Sequence, residues 1–150
     1  MSYSIQSIVA FRGVYPAELP AGLALVQLND DVQMIPLGSI AREQYGIPFL
    51  PLTDDGDIEF PPSIQELCRQ LSAGGDLAYI EAEIFGGAGV QASVLVGAGG
   101  RVGSVIVAHD AINAALCSLG VPRHNGGDEF ASLALGRCRE TDAWIDHAQE

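Results

Sequence analysis

The feature that most constrains the fold is the stretch VLVGAGGRVGSVIVAHD at residues 94–110, where three glycines follow an apolar run at GxxGxxG spacing. A dinucleotide-binding loop requires a helix after such glycines, because the helix N-terminus holds the pyrophosphate. The next segment, residues 104–108, is SVIVA, and its β-branched residues predict a strand. We therefore expect Gly97, Gly100 and Gly103 to belong to a hairpin between two strands, with no bound cofactor.

Alternation and turn residues predict further strands elsewhere. They cover residues 4–13, 77–85 and 90–96, with a hairpin or a tight crossing about Asn29 to Asp31 inside residues 23–38. In the strand after Asp76, Leu77, Tyr79, Glu81 and Glu83 share one face, and the residues between them share the other.

Apolar spacing and capping residues predict helices between these strands. A short helix is expected at residues 39–46 with Ser39 as its cap, and another at residues 110–121 with Asp110 as its cap. The helix with the clearest sequence signals follows Ser63. Glu66, three residues after Ser63, completes a capping box with it. Its buried face is expected to contain Ile64, Leu67, Cys68 and Leu71, and one or two short helices interrupted at Gly136 are expected after residue 128. The pattern predicts an α+β fold over residues 1–150, a single domain with a mainly antiparallel sheet packed against a few helices.

The charge balance is the most informative global property. Nineteen Asp and Glu residues oppose seven arginines, and there is no lysine, which gives a net charge of −12. Such a field repels nucleic acid and anionic membranes and attracts basic proteins, although solubility alone would also explain it. The start of the chain lacks a secretion signal and the three cysteines are widely spaced, so we expect reduced thiols, with Cys68 and Cys117 as small hydrophobes, in a cytoplasmic protein.

Glu81 and Glu83 are the side chains most able to carry chemistry. Carboxylates two residues apart on a strand point to the same face, about 7 Å apart, close enough to share a proton, a cation or a substrate. Three interpretations stay open: both face solvent on a one-sided sheet, both form an acidic patch for a partner, or both act in catalysis or metal binding.

The remaining candidates lie near the C-terminus. Asp128 and Glu129 extend the acidic candidates, while Arg137, Arg139 and Trp144 form either local salt bridges or an exposed contact patch. The histidines, His109, His124 and His147, have no metal-ligand spacing to one another, and we expect no metal site.

The segments AYIEAEIFGGAGVQASVLV, DAINAALCSLGV, DEFASLALGR and RETDAW resemble small acidic bacterial immunity proteins of polymorphic toxin systems. In those proteins a YIEAE-type strand is followed by FGG, a glutamine, a short hairpin, a helix and a DEF-containing tail. The resemblance covers about residues 79–144, and the glycine-rich turn GAGGRVG departs from it, since a plainer polar turn is expected there.

The resemblance implies an inhibitor that binds a cognate toxin without cofactor or turnover. The complementary partner of the acidic surface would be a basic toxin domain. The partner-binding candidates are Glu81, Glu83, Asp128, Glu129, Arg137, Arg139 and Trp144. The alternatives are a small cytosolic hydrolase that uses the Glu81 and Glu83 pair, or a housekeeping domain, and the oligomeric state is left open.

Overall fold

An antiparallel sheet runs through the middle of the protein. The computed structural model describes residues 2–54, 59–85, 88–123 and 127–148. Within them, six strands form one sheet in the order β2-β3-β1-β4-β5-β6, and every neighbouring pair is antiparallel. The strands are β1 Ser2–Phe11, β2 Val26–Gln27, β3 Val32–Pro36, β4 Leu77–Phe85, β5 Ala88–Gly97 and β6 Arg101–Val107.

Helices pack against both faces of this sheet. They are α1 Ser39–Tyr45, α2 Pro62–Leu71, α3 Ala111–Leu119, α4 Glu129–Ser132 and α5 Thr141–Ala148, with a 3-10 turn at Leu135–Arg137. The buried side chains of α1 and α2 belong to one apolar cluster, and those of α3, the 3-10 turn and α5 belong to the other. This arrangement confirms the predicted α+β class and the antiparallel sheet.

The strand β4 shows how the sheet separates the two clusters. Its odd-numbered residues Leu77 and Tyr79 join the cluster of α1 and α2, and its even-numbered residues Ala78 and Ile80 join the cluster of α3 to α5. The predicted alternation is therefore confirmed. The interpretation of a one-sided sheet with both glutamates in solvent is wrong, because helices cover both faces and Glu81 is 0% exposed.

The glycine-rich stretch is a hairpin, as predicted. Gly99 and Gly100 have φ angles of +81° and +93°, which glycine adopts without steric cost, and they form the turn between β5 and β6. The amides of Ala98, Gly99 and Gly100 donate to the Asp76 carboxylate, to Ser72 O and to Gly97 O, respectively. Strand β6 begins at Arg101, so Gly103 lies within the strand and not in the turn.

The capping predictions were partly wrong. Helix α1 begins after Gly38, and the Ser39 amide donates to the carboxylate of Asp142 on α5, 2.9 Å away. Helix α2 begins at Pro62, so Ser63 lies inside it and forms no capping bond, and Glu66 binds Arg69. The predicted buried face of α2, formed by Ile64, Leu67, Cys68 and Leu71, is confirmed.

The structure also tests the predictions for the two helical cysteines and for the hairpin at Asn29. Cys117 is exposed, so it is not the buried hydrophobe expected, whereas Cys68 is buried. The hairpin about Asn29 is confirmed, because the Asn29 side chain accepts bonds from the amides of Asp31 and Val32.

No helix in the described part of the chain combines the length and apolar character needed to cross a membrane. His124 lies outside the described residues, as does the side chain of His147.

Candidate functional site

Glu81 lies in the middle of the sheet and is bound to a loop that follows α1. Its Oε1 accepts hydrogen bonds from the Thr53 amide and hydroxyl, both at 3.0 Å, and from the Leu52 amide at 3.1 Å. Its Oε2 accepts a bond from the Tyr79 hydroxyl at 2.5 Å. Burial raises the pKa of the Glu81 carboxyl, and these donors partly offset the shift. Glu81 therefore holds the loop to the sheet, which contradicts its assignment to an exposed acidic patch.

The hydrogen-bond network extends from Glu81 to β1. Gln6 on β1 donates to the Tyr79 hydroxyl and to Pro48 O, each at 3.0 Å, and its Oε1 accepts a bond from the Leu50 amide. Leu50 has a φ angle of +42°, in the left-handed region that non-glycine residues rarely adopt. These bonds hold the loop in that conformation.

Glu83, two residues beyond Glu81, lies at the edge of the covered part of the sheet and is half-buried. Partial burial and the adjacent carboxyl of Asp54, with a smaller effect of Glu81, raise the pKa of Glu83. Glu81 and Glu83 therefore point to the same face, as predicted, but only Glu83 reaches the surface. Because Glu81 is 0% exposed, the pair does not present two accessible carboxylates.

Glu83 lines a groove of about 360 Å³ at one end of the sheet, which we call the aromatic groove. Two phenylalanines are exposed in it, Phe49 by 46% and Phe85 by 60%. Arg42 lies over the Phe49 ring, 4.9 Å from its centre, and donates to Leu37 O. The lining residues are Ser2, Tyr3, Ser4, Arg42, Phe49, Glu83, Phe85, Glu140, Thr141 and Asp142.

The first residues of α5 form one wall of the aromatic groove. The Thr141 hydroxyl accepts a hydrogen bond from the backbone amide of Gln6, and the Asp142 carboxylate accepts one from the backbone amide of Ser39. A side chain at Gly38 would collide with Asp142 and with Ile145, so glycine permits this close approach of α5 to α1. The wall is thus built from segments that are far apart in the sequence.

Asp128 and Glu129, the second predicted acidic pair, occupy the start of α4. Asp128 is the N-cap, since its Oδ1 accepts from the Ala131 amide at 2.9 Å. Glu129 is 1% exposed, which contradicts its place in an acidic surface, and Arg123 Nε donates to both of its oxygens, at 2.9 and 3.1 Å. The Arg123 guanidinium lowers the pKa of Glu129.

The predicted patch of arginines and tryptophan is only partly exposed. Trp144 is 0% exposed, which contradicts an exposed tryptophan, and Arg137 stacks on its ring at 5.0 Å from the centre. Arg139 is exposed beside a hollow of about 240 Å³ that Ser2 and Tyr3 also line. Within the described residues, neither arginine forms an ion pair, so the prediction of local salt bridges is also wrong.

Sequence reasoning missed Phe49, Phe85, Glu140 and Asp142 as neighbours of Glu83. Phe49 lies in a loop and Phe85 ends β4, and neither position carries a pattern that predicts exposure. The described residues contain no group of His, Cys, Asp and Glu side chains arranged to hold a metal ion. Comparison of the chain with protein-family models, with characterised proteins and with solved structures finds no match.

Proposed function

We propose that this chain is an immunity-type protein that binds and neutralises a cognate bacterial toxin in the cytoplasm. The observation that carries the proposal is the aromatic groove, where Phe49 and Phe85 are exposed among carboxylates. The partner is a basic toxin domain, and the protein acts by binding and not by turnover.

The groove has the composition of a protein-binding site. Large aromatic side chains that become fully desolvated in a complex contribute much of its binding energy. Three carboxylates, those of Glu83, Glu140 and Asp142, line the same groove, against one guanidinium, that of Arg42. An arginine or lysine of the partner would meet this rim while apolar parts of the partner cover the rings.

The charge distribution of the whole molecule supports a basic partner. Among the described residues, ion pairs join only Glu66 to Arg69 and Glu129 to Arg123. These two pairs engage two of the nineteen Asp and Glu residues, and the net charge of the molecule stays at −12. Such a field speeds association with a basic domain and weakens with salt, and it predicts no binding to nucleic acid or anionic membranes.

Co-expression tests the proposal, using the toxic domain encoded beside the gene for this chain. The wild-type protein should restore growth and bind the purified domain. A groove variant, Glu83→Lys with Glu140→Lys and Phe85→Ser, should fold normally and weaken binding by at least about 100-fold, because like charges and a lost aromatic anchor act together. Asp142 is left unchanged because it caps α1.

A matched control reverses two acids outside the groove, Glu18→Lys with Asp30→Lys, both exposed. This control should protect cells as the wild type does and should slow association only slightly. If the wild-type protein neither binds nor protects, the proposed function is wrong. If the groove variant binds as tightly as the control, the toxin binds elsewhere on the surface.

A further inference from the structure

Strand β6 is an open edge of the sheet. Among the strands of the described residues it pairs with β5 alone, and most of its seven residues are exposed. The opposite edge, β2, has only two residues, of which Val26 is buried. A long uncovered edge is a template for pairing with another strand.

The register shows which backbone groups of β6 point away from β5. The Ala108 amide donates to Gln91 O, and Val107 lies opposite Ala92. Because bonded and non-bonded pairs alternate in antiparallel ladders, the amides and carbonyls of Val105 and Val107 point outward. A register shift between Val94 and Val96 interrupts the pairing of β5 with β6. Val105 and Val107 pair with β5 in one unbroken register on the same side of this shift.

The chemistry of this edge differs from the rest of the surface. Residues 84–109 form the longest stretch of the sequence without Asp or Glu, and Arg101 and His109 are its only basic residues. Ile106 and Val107 are exposed by 44% and 52%. Sheets usually protect such edges with charged residues or proline, and residues 104–108 contain neither.

Space is present on both faces beside β6. A hollow of about 610 Å³ lies between Phe60 and Val105 on one face. A hollow of about 300 Å³ lies between Leu119 and Val102 on the other face. The helices on the two faces therefore leave room for a strand added next to β6.

We propose that β6 pairs antiparallel with β6 of a second copy of this chain, about a two-fold axis at Ile106. In this register Val105 of each copy pairs with Val107 of the other, so all of their outward-pointing groups are bonded. The two Ile106 residues meet as a non-bonded pair, with Cα atoms about 4.5 Å apart. A closed two-fold dimer results, in which the two sheets are continuous.

The charge of β6 favours a second copy of this chain, and not a strand of a toxin, as the partner that pairs with this edge. Two molecules of net charge −12 repel each other least along a segment without acids. Strand β6 itself carries Arg101 and no acid, while Glu59 and Asp76 line the hollows on its two faces. A basic toxin strand paired with β6 would therefore meet Arg101 and no carboxylate on the strand itself.

Sedimentation velocity across the micromolar range tests the proposal with the protein alone. The wild type should sediment as a dimer, at twice the monomer mass of 15.7 kDa. Ile106→Lys places two like charges at the axis and should halve the mass. Val107→Pro removes an outward-pointing amide and no bond of the monomer, so it should also halve the mass with an unchanged circular dichroism spectrum.

Val90→Lys is the matched control, because Val90 is an exposed valine, 39% accessible, on β5 and not on the edge. It should remain a dimer. A monomeric wild type, or dimers of both β6 variants, would overturn the proposal. If the wild type is monomeric alone and the β6 variants lose protection against the toxin, the edge binds the toxin and not a second copy. The test needs no toxin, so its failure leaves the proposed function standing.

Discussion

The structure contains two comparable pairs of acidic residues, Glu81 with Glu83 on β4 and Asp128 with Glu129 at α4. The two pairs differ in the groups that stabilise their buried member. In each pair one carboxylate is buried and the other reaches the surface. Glu81 is bound by neutral donors, whereas Glu129 lies beneath the exposed guanidinium of Arg123.

The difference shows in the direction of the pKa shifts. Burial without a cation raises the pKa of Glu81, and a cation within hydrogen-bond distance lowers the pKa of Glu129. A similarly low exposed fraction therefore does not imply similar electrostatics. Desolvation and the bonded partner together decide whether ionisation favours or opposes the folded state. Four predictions test this contrast.

The largest effect is expected for Glu81→Ala. It leaves the buried amides of Leu52 and Thr53 and the hydroxyl of Tyr79 without their acceptor, so the free energy of unfolding should fall by about 2–4 kcal/mol. Glu83→Ala on the same strand should change it by less than about 0.5 kcal/mol. Urea unfolding of both variants measures the difference, and equal losses would contradict the structural role of Glu81.

A smaller effect is expected at the second pair. Glu129→Ala should lower the free energy of unfolding by about 1–2 kcal/mol, since the bonds from Arg123 are lost. Arg123→Ala should add little in the double variant, because the two side chains act together. The exposed pair of Glu66 and Arg69 is the control, and a double-mutant cycle there should give no measurable coupling. Additive effects at Glu129 and Arg123 would contradict the comparison.

The exposed member of the second pair should contribute through the helix end. Asp128→Ala removes the N-cap of α4 and should cost about 1 kcal/mol, whereas Asp128→Asn should retain most of the stability. Asp110 precedes α3 without a capping bond from its side chain, so Asp110→Ala serves as the control and should have no effect. Thermal unfolding of the three variants compares them, and equal losses at Asp110 and Asp128 would exclude capping.

The smallest effect is a difference in pH dependence. The raised pKa of Glu81 makes the folded state retain a proton longer, so this group lowers stability as pH rises from its ordinary pKa to the folded value. The lowered pKa of Glu129 adds stability above its ordinary pKa, which is lost as pH falls through the folded value. The measurement is the free energy of unfolding as a function of pH for the wild type, Glu81→Gln and Glu129→Gln. The difference between the wild type and each variant should change with pH in opposite directions for the two variants. Changes in the same direction would be evidence against the pKa shifts.

Part of this site was predictable from local patterns. The alternation in β4 places Glu81 and Glu83 on one face, and the β-branched run after Gly103 predicts the hairpin, because backbone sterics and side-chain direction act over a few residues. The predicted cap of α1 was wrong because a distant group, the Asp142 carboxylate, binds the Ser39 amide. The predicted capping box of α2 was wrong because the helix begins at Pro62, so Ser63 lies inside it.

By itself the sequence determined the strands, the buried face of α2 and the acidity of the molecule, which are properties of neighbouring residues and of composition. Only the tertiary structure decided which carboxylates are buried. The backbone donors to Glu81 come from Leu52 and Thr53, 29 and 28 positions away in the chain. The aromatic groove likewise joins a loop, the end of β4 and the start of α5. Burial and pKa depend on everything that packs within a few ångströms, and distance along the chain says little about which residues those are.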